Sequence, residues 1–300
     1  MDTDRYCQVC IRHCKAGYSF CGRRDKNGLL INKYRFNAIS FDYLFDKPVT
    51  HYRKNVKVLS LGSWGCNLRC LGCQNVNLSW NLNAETLGYR DMNPDEIVET
   101  ALNNNCKGIC YTFNEPAILT EVVAEVATAA KNKNLFNVLV TNSTLTVKSA
   151  EQISPCIDVV AADIKSMTDE FYYNYCGAVG IPDVSGRILQ CIKTFFDNGC
   201  HIEVRTNIIP GGNDQEENYH EIARWIRYNL SHSTPWHITR FFPAHKLSHL
   251  DPTPEKSLLK AQETGLSEGL VNVHIYMDKG CDCARDSFLI KDTVHYCCHK

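Results

Sequence analysis

From residue 56 to residue 276 short apolar runs alternate with amphipathic stretches, and this alternation leaves few folds open to the chain. Short β-prone runs separated by helical patterns mark βα units, whose strands lie parallel and are buried on both faces. The segments 56–61, 107–113, 136–141, 157–164, 201–209, 236–242 and 271–276 read as strands. Helices are expected after Asn93, which precedes Pro94, Asp95 and Glu96 as a cap does, and over 116–132, 147–153, 168–176, 185–198, 214–228 and 254–269. Six such units make an α/β fold, an open, partial (β/α)6 TIM-like barrel over 56–278. A polar, cysteine-rich metal-binding segment over 1–55 precedes it, and a short cysteine-containing tail over 279–300 follows. In barrels of this kind the C-terminal strand ends carry the chemistry. Here those ends hold Cys66, Glu115, Asn142, Asp163, Lys165, Arg205 and His245.

The first strand runs into Gly65-Cys66-Asn67-Leu68-Arg69-Cys70-Leu71-Gly72-Cys73, a C-x3-C-x2-C spacing. Thiolates hold iron–sulfur clusters, and three of them on one loop leave the fourth iron of a [4Fe–4S] cube without a protein ligand. An open metal position is where a substrate can bind. Three unrelated buried cysteines are the alternative, since the chain has 17. The spacing resembles that of the radical S-adenosylmethionine (SAM) superfamily, which implies that SAM chelates the open iron through its amino and carboxylate groups.

Charge and hydropathy narrow the setting. Lys and Arg total 32 against 33 Asp and Glu, so no global field favours nucleic acid. No uninterrupted apolar window approaches the length of a membrane span, and the start at Met1-Asp2-Thr3-Asp4-Arg5 lacks an apolar signal region. A cytoplasmic location is expected, with neither membrane nor nucleic acid as partner.

The remaining candidate residues follow the strands. Asn114 and Glu115 precede Pro116 after the second strand, where a carboxylate and an amide can accept hydrogen bonds from an ammonium group. Thr141 and Asn142 close the third strand and can touch the SAM ribose or carboxylate, or form an Asx turn. Asp163 and Lys165 close the fourth and are candidates for catalysis, or for a structural ion pair, because a buried charge needs a partner. Arg205 on the fifth is a candidate carboxylate clamp. Parity places His237 and Arg240 on opposite faces of the sixth strand. His245, past that strand's end, is the preferred cofactor contact of the three. Cys7, Cys10, Cys14 and Cys21 in C-x2-C-x3-C-x6-C spacing suit a zinc site or a second cluster. Cys281, Cys283, Cys297 and Cys298 form a weaker group.

Taken together, Ser63-Trp64-Gly65-Cys66, Tyr111-Thr112-Phe113-Asn114-Glu115-Pro116, Asp163-Ile164-Lys165, Tyr175-Cys176-Gly177, Ile209-Pro210-Gly211-Gly212-Asn213-Asp214 and Pro235-Trp236-His237-Ile238-Thr239-Arg240-Phe241 resemble the radical SAM enzyme of the AmmeMemoRadiSam system. That family is itself similar to pyruvate formate-lyase activating enzymes. The resemblance implies a reductive cleavage of SAM by the cluster, giving a 5′-deoxyadenosyl radical that takes hydrogen from a small-molecule or protein substrate. It further implies an electron donor such as flavodoxin or ferredoxin, and sensitivity to oxygen. Cleavage of another SAM C–S bond to a 3-amino-3-carboxypropyl radical, and a non-catalytic cluster- and SAM-binding module, are the rival readings.

Overall fold

A computed structural model describes residues 6–277, so Cys281, Cys283, Cys297 and Cys298 of the expected tail lie outside the described residues. One sheet of eight strands organises the chain: β1 Ala38–Tyr43, β2 Lys57–Gly62, β3 Gly108–Tyr111, β4 Phe136–Thr141, β5 Val159–Asp163, β6 His201–Ile208, β7 Trp236–Arg240 and β8 Val273–Tyr276. Spatial order follows chain order, and every pair from β2 to β8 is parallel. The crossovers carry α1 Pro94–Asn103, α2 Thr120–Lys131, α3 Val147–Ile153, α4 Asp169–Cys176, α5 Val184–Asp197 and α6 Glu216–Asn229, and α7 Glu255–Ser267 joins β7 to β8. This is the partial TIM-like barrel expected of the alternation.

Local chemistry explains where these elements begin and end. Asn93 and Glu96 form a reciprocal capping box at α1, with bonds of 2.8 and 3.0 Å between each side chain and the other's backbone N–H. Such a cap is worth about 1 kcal/mol. Thr168 caps α4, and Gly177 ends it at φ 63°, a left-handed conformation that glycine adopts without a Cβ penalty. The stretch expected as one helix over 116–132 opens instead with a 3-10 turn, Pro116–Leu119. There the Glu115 side chain accepts from Ala117 N at 2.9 Å and takes the donor that a regular first turn would leave free.

The segment over 1–55, expected as a metal-binding segment, also builds part of the barrel sheet. Its strand β1 pairs antiparallel with β2, Ala38 opposite Gly62 through Tyr43 opposite Lys57, and so extends the barrel sheet itself. Residues 47–55 then run beside the N-terminal half of β6. Glu203, fully buried there, accepts hydrogen bonds from Thr50 N and His51 N (both 2.9 Å), His201 Nε2 (3.0 Å) and His237 Nε2 (2.6 Å). His51 Nε2 lies 2.7 Å from His274 Nε2. Among the described residues no helix is long and apolar enough to cross a membrane.

Candidate active site

A cavity of about 770 Å³ opens at the C-terminal strand ends. That lies in the upper part of the range for small-molecule sites, roughly 300–1,000 Å³. Cys66, Cys70 and Cys73 line it together with Asn114, Glu115, Thr141, Asn142, Asp163, Lys165 and Arg205. Sequence reasoning therefore identified residues that the fold brings to one chamber.

The cysteine loop is clamped from three directions. Arg69 N donates to Cys176 O (2.8 Å) and Leu71 N to Tyr175 O (2.9 Å), so the end of α4 brackets Cys70. The Arg69 guanidinium reaches back to Cys66 O at 2.7 Å and across to Phe20 O at 2.8 Å. Asn114 spends its side chain on the same loop, accepting from Ser63 N (2.8 Å) and donating to Gly65 O (3.0 Å) and Trp64 O (3.3 Å). It braces the loop with both amide hydrogens, while its oxygen, with one donor of its own, keeps a second acceptor position at the cavity wall. Gly65 has φ +82°, and a Cβ built there would meet Cys21 O at 2.2 Å. Gly65→Ala is therefore expected to displace the N-terminal segment or the loop. Iron content per chain after anaerobic reconstitution should fall by at least half; full loading would refute this packing argument.

Burial pushes the Cys66 thiol well above the usual cysteine range and the Cys73 thiol up to about 11. A hydrogen bond from Cys176 lowers Cys70 instead. Buried thiols of this kind stay protonated until a soft metal replaces the protons. Cys176 also lines the cavity, beside Cys70; in the sequence it stands out only through the Tyr175-Cys176-Gly177 run.

Glu115 is 4% exposed. Its Oε1 accepts from Thr141 Oγ1 (2.6 Å) and Ala117 N (2.9 Å), and its Oε2 from Asn142 N (2.7 Å). Among the described residues it has no cationic partner. Burial drives its pKa up to about 7, against the pull of those three bonds. The Asn142 amide donates to Asn67 Oδ1 at 3.0 Å and lies 4.0 Å from Cys66 Sγ.

Asp163 sits between two cations, bonded to Lys165 Nζ at 2.7 Å and to Arg205. Burial would raise its pKa, but Arg205 and Lys165 outweigh burial and lower it. Burial would lower that of Lys165, and Asp163 reverses this. The Arg205 Nε is buried without a hydrogen-bond partner.

His245 departs from expectation. It opens a 3-10 turn, His245–Leu247, with its ring edge-on to Trp80 at 4.5 Å, and is not among the cavity-lining residues. The backbone bond from Lys246 N to Leu71 O (2.9 Å) holds that turn against the cysteine loop. Of its two companions, His237 is fully buried on Glu203 and Arg240 lines the cavity. The four N-terminal cysteines lie near one another: Cys7 N donates to Cys14 O at 2.8 Å, Cys10 is buried and feels the charge of Cys7 and Cys21, and Cys21 lies 3.6 Å from Ser19 Oγ. Among the described residues no three His, Cys, Asp or Glu groups are gathered to hold one ion, at these cysteines or at Cys66, Cys70 and Cys73.

The profile of the Radical SAM superfamily matches residues 63–226. The uncharacterized protein MJ0808 of Methanocaldococcus jannaschii is 34% identical over 280 residues, 91% of this chain and 81% of that protein. The pyruvate formate-lyase 1-activating enzyme of Escherichia coli K12 is 22% identical over 171 residues, 54% of this chain and 65% of the enzyme, just under two thirds of its length. Among solved structures, a radical SAM methyltransferase from Sphaerobacter thermophilus matches with a TM-score of 0.58 at 13% identity, over 78% of this chain and 69% of the other. Streptococcus suis SuiB bound to S-adenosylmethionine matches at 0.55 and 12% identity, over 72% of this chain and 49% of SuiB. At such identities these two likenesses concern the fold.

Proposed function

From the premise that the chain belongs to the radical SAM superfamily and is an enzyme of that type, we propose that Cys66, Cys70 and Cys73 hold a [4Fe–4S] cluster and that Glu115 holds the ammonium group of SAM. The observation that carries this reading is Glu115 itself, a buried carboxylate with three donors and no cationic partner among the described residues. Burying an unpaired charge is costly, and a bound ammonium offsets that cost. The orphan Arg205 Nε supports a second contact, to the SAM carboxylate.

When bound, cluster and SAM supply a 5′-deoxyadenosyl radical able to take hydrogen from an unreactive carbon. The chain's own residues bind and orient. Thr141 Oγ1 and the Asn142 N–H fix the Glu115 carboxylate facing the cavity. Asp163 fixes both Arg205 and Lys165, and the three together keep one net positive charge beside the cavity. The buried walls around Cys66 exclude water. A flavodoxin- or ferredoxin-type protein is the proposed electron donor.

The test is anaerobic: reconstitute the cluster, add SAM and dithionite, and identify the nucleoside by mass spectrometry. 5′-Deoxyadenosine supports the proposal. Methylthioadenosine replaces it with aminocarboxypropyl chemistry. Neither nucleoside, from protein with a full cluster that binds SAM, would leave a binding module without turnover.

A further inference from the structure

Charge accounting within the cavity singles out one residue. Three basic side chains line it: Lys165, Arg205 and Arg240. The first two are both committed to Asp163. Arg240, at the end of β7, has no acidic partner among the described residues. Its Nε donates to Thr253 O at 2.8 Å, and its guanidinium carbon lies 5.7 Å from the Phe242 ring centroid. One end of the fork is thus fixed, while the two terminal nitrogens have no protein acceptor among the described residues. A guanidinium held this way presents a bidentate pair of donors suited to a carboxylate or a phosphate. Its surroundings on the β6–β8 side of the cavity are Asn207, Thr239, Phe242 and Tyr276. Asn207 and Thr239 already bond to each other, at 3.1 Å, so their remaining capacity is modest and the rings supply mostly apolar surface.

We propose that Arg240 is the substrate-recognition residue, and that the substrate carries an anionic group, carboxylate or phosphate, joined to a body that packs on Phe242 and Tyr276. This rests on the reading that Glu115 and Arg205 hold SAM. With SAM's ammonium and carboxylate taken by those two residues, Arg240 is left as a basic side chain of the cavity with no acidic partner among the described residues.

The experiment is calorimetry on oxidised, cluster-loaded enzyme saturated with SAM, titrated with inorganic phosphate and, separately, with succinate. Wild type is expected to bind one of the two, which also distinguishes phosphate from carboxylate. Arg240→Ala should weaken that binding about tenfold or more, as loss of a charge-assisted pair does, and Arg240→Lys should retain part of it. SAM affinity, measured by equilibrium dialysis, should stay within about twofold in both variants, because the residues assigned to SAM are untouched. Three results would overturn the proposal: neither anion binds wild type, the anion binds Arg240→Ala equally well, or SAM affinity itself falls tenfold in that variant. Absence of SAM binding by wild type would instead sink the underlying functional reading.

Discussion

Glu115→Gln is expected to weaken SAM binding about a hundredfold, the usual consequence of removing one charge from a buried ion pair. The amide keeps the size of the side chain but cannot neutralise an ammonium. It also places an NH2 where Thr141 Oγ1, Ala117 N or Asn142 N now donates. In wild type the carboxyl titrates at about 7 without ligand, because burial disfavours its charged form. It must lose its proton to pair with SAM. Affinity should therefore fall roughly tenfold for each pH unit below 7 and level off above 8. The Gln variant should show no such slope. Equilibrium dialysis of the oxidised holoenzyme at pH 6, 7 and 8 measures both effects. A wild-type affinity that does not change across this range would remove Glu115 from the ammonium site. The same shift has a sign for stability. A carboxyl whose pKa is raised on folding favours the folded state most below its unfolded value, and that contribution is lost as pH rises through 7. Unliganded enzyme thus gives up stability at the pH where SAM binds best, and SAM restores it.

The second large effect is structural. Glu203→Ala is expected to destabilise the protein by about 3–5 kcal/mol, the range for breaking a buried charged network by removing one partner. Glu203 is fully buried and accepts from four donors. Its loss strands Thr50 N, His51 N and the fully buried His237, whose Nδ1 already has no partner. Burial would raise its pKa, but the bonds from His201, His237 and Thr50 N outweigh burial and hold it well below the carboxylate range. The stability it confers is present above the unfolded carboxylate pKa and disappears only as pH falls through its depressed folded value. Thermal melts at pH 7 should show a fall of several degrees or more. A shift of less than a degree would mean that the strap over 47–55 does not depend on Glu203.

How the chain announces its site differs from one residue to the next. Cys66, Cys70 and Cys73 are legible because one short loop carries the whole ligand set. Glu115 and Asn142 are legible because a polar residue just past an apolar strand falls at the barrel mouth. Arg205 was legible because alternate residues of a strand share a face, and with Asn207 it is half-buried on the face of β6 that lines the cavity, two residues past the fully buried Glu203. The same parity could not say that Asp163 would sit beside Arg205, which depends on the register that places those two residues opposite each other. His245 misled because distance past a strand end does not give the direction in which a turn leads. The backbone bond from Lys246 N to Leu71 O ties that turn to the cysteine loop, with the ring edge-on to Trp80.

The sequence by itself determined the parallel α/β order, the strand ends that carry chemistry and the three-thiol loop, because each is written in contiguous residues through hydrophobic period or ligand spacing. Tertiary structure alone decided that β1 joins the sheet, that Asn114 braces the cysteine loop, that Glu203 gathers backbone donors from a segment some 150 residues earlier, and that Arg240 has no acidic partner among the described residues. Each of these depends on which distant groups meet, and a buried polar group takes whatever partner strand register and packing bring within 3 Å.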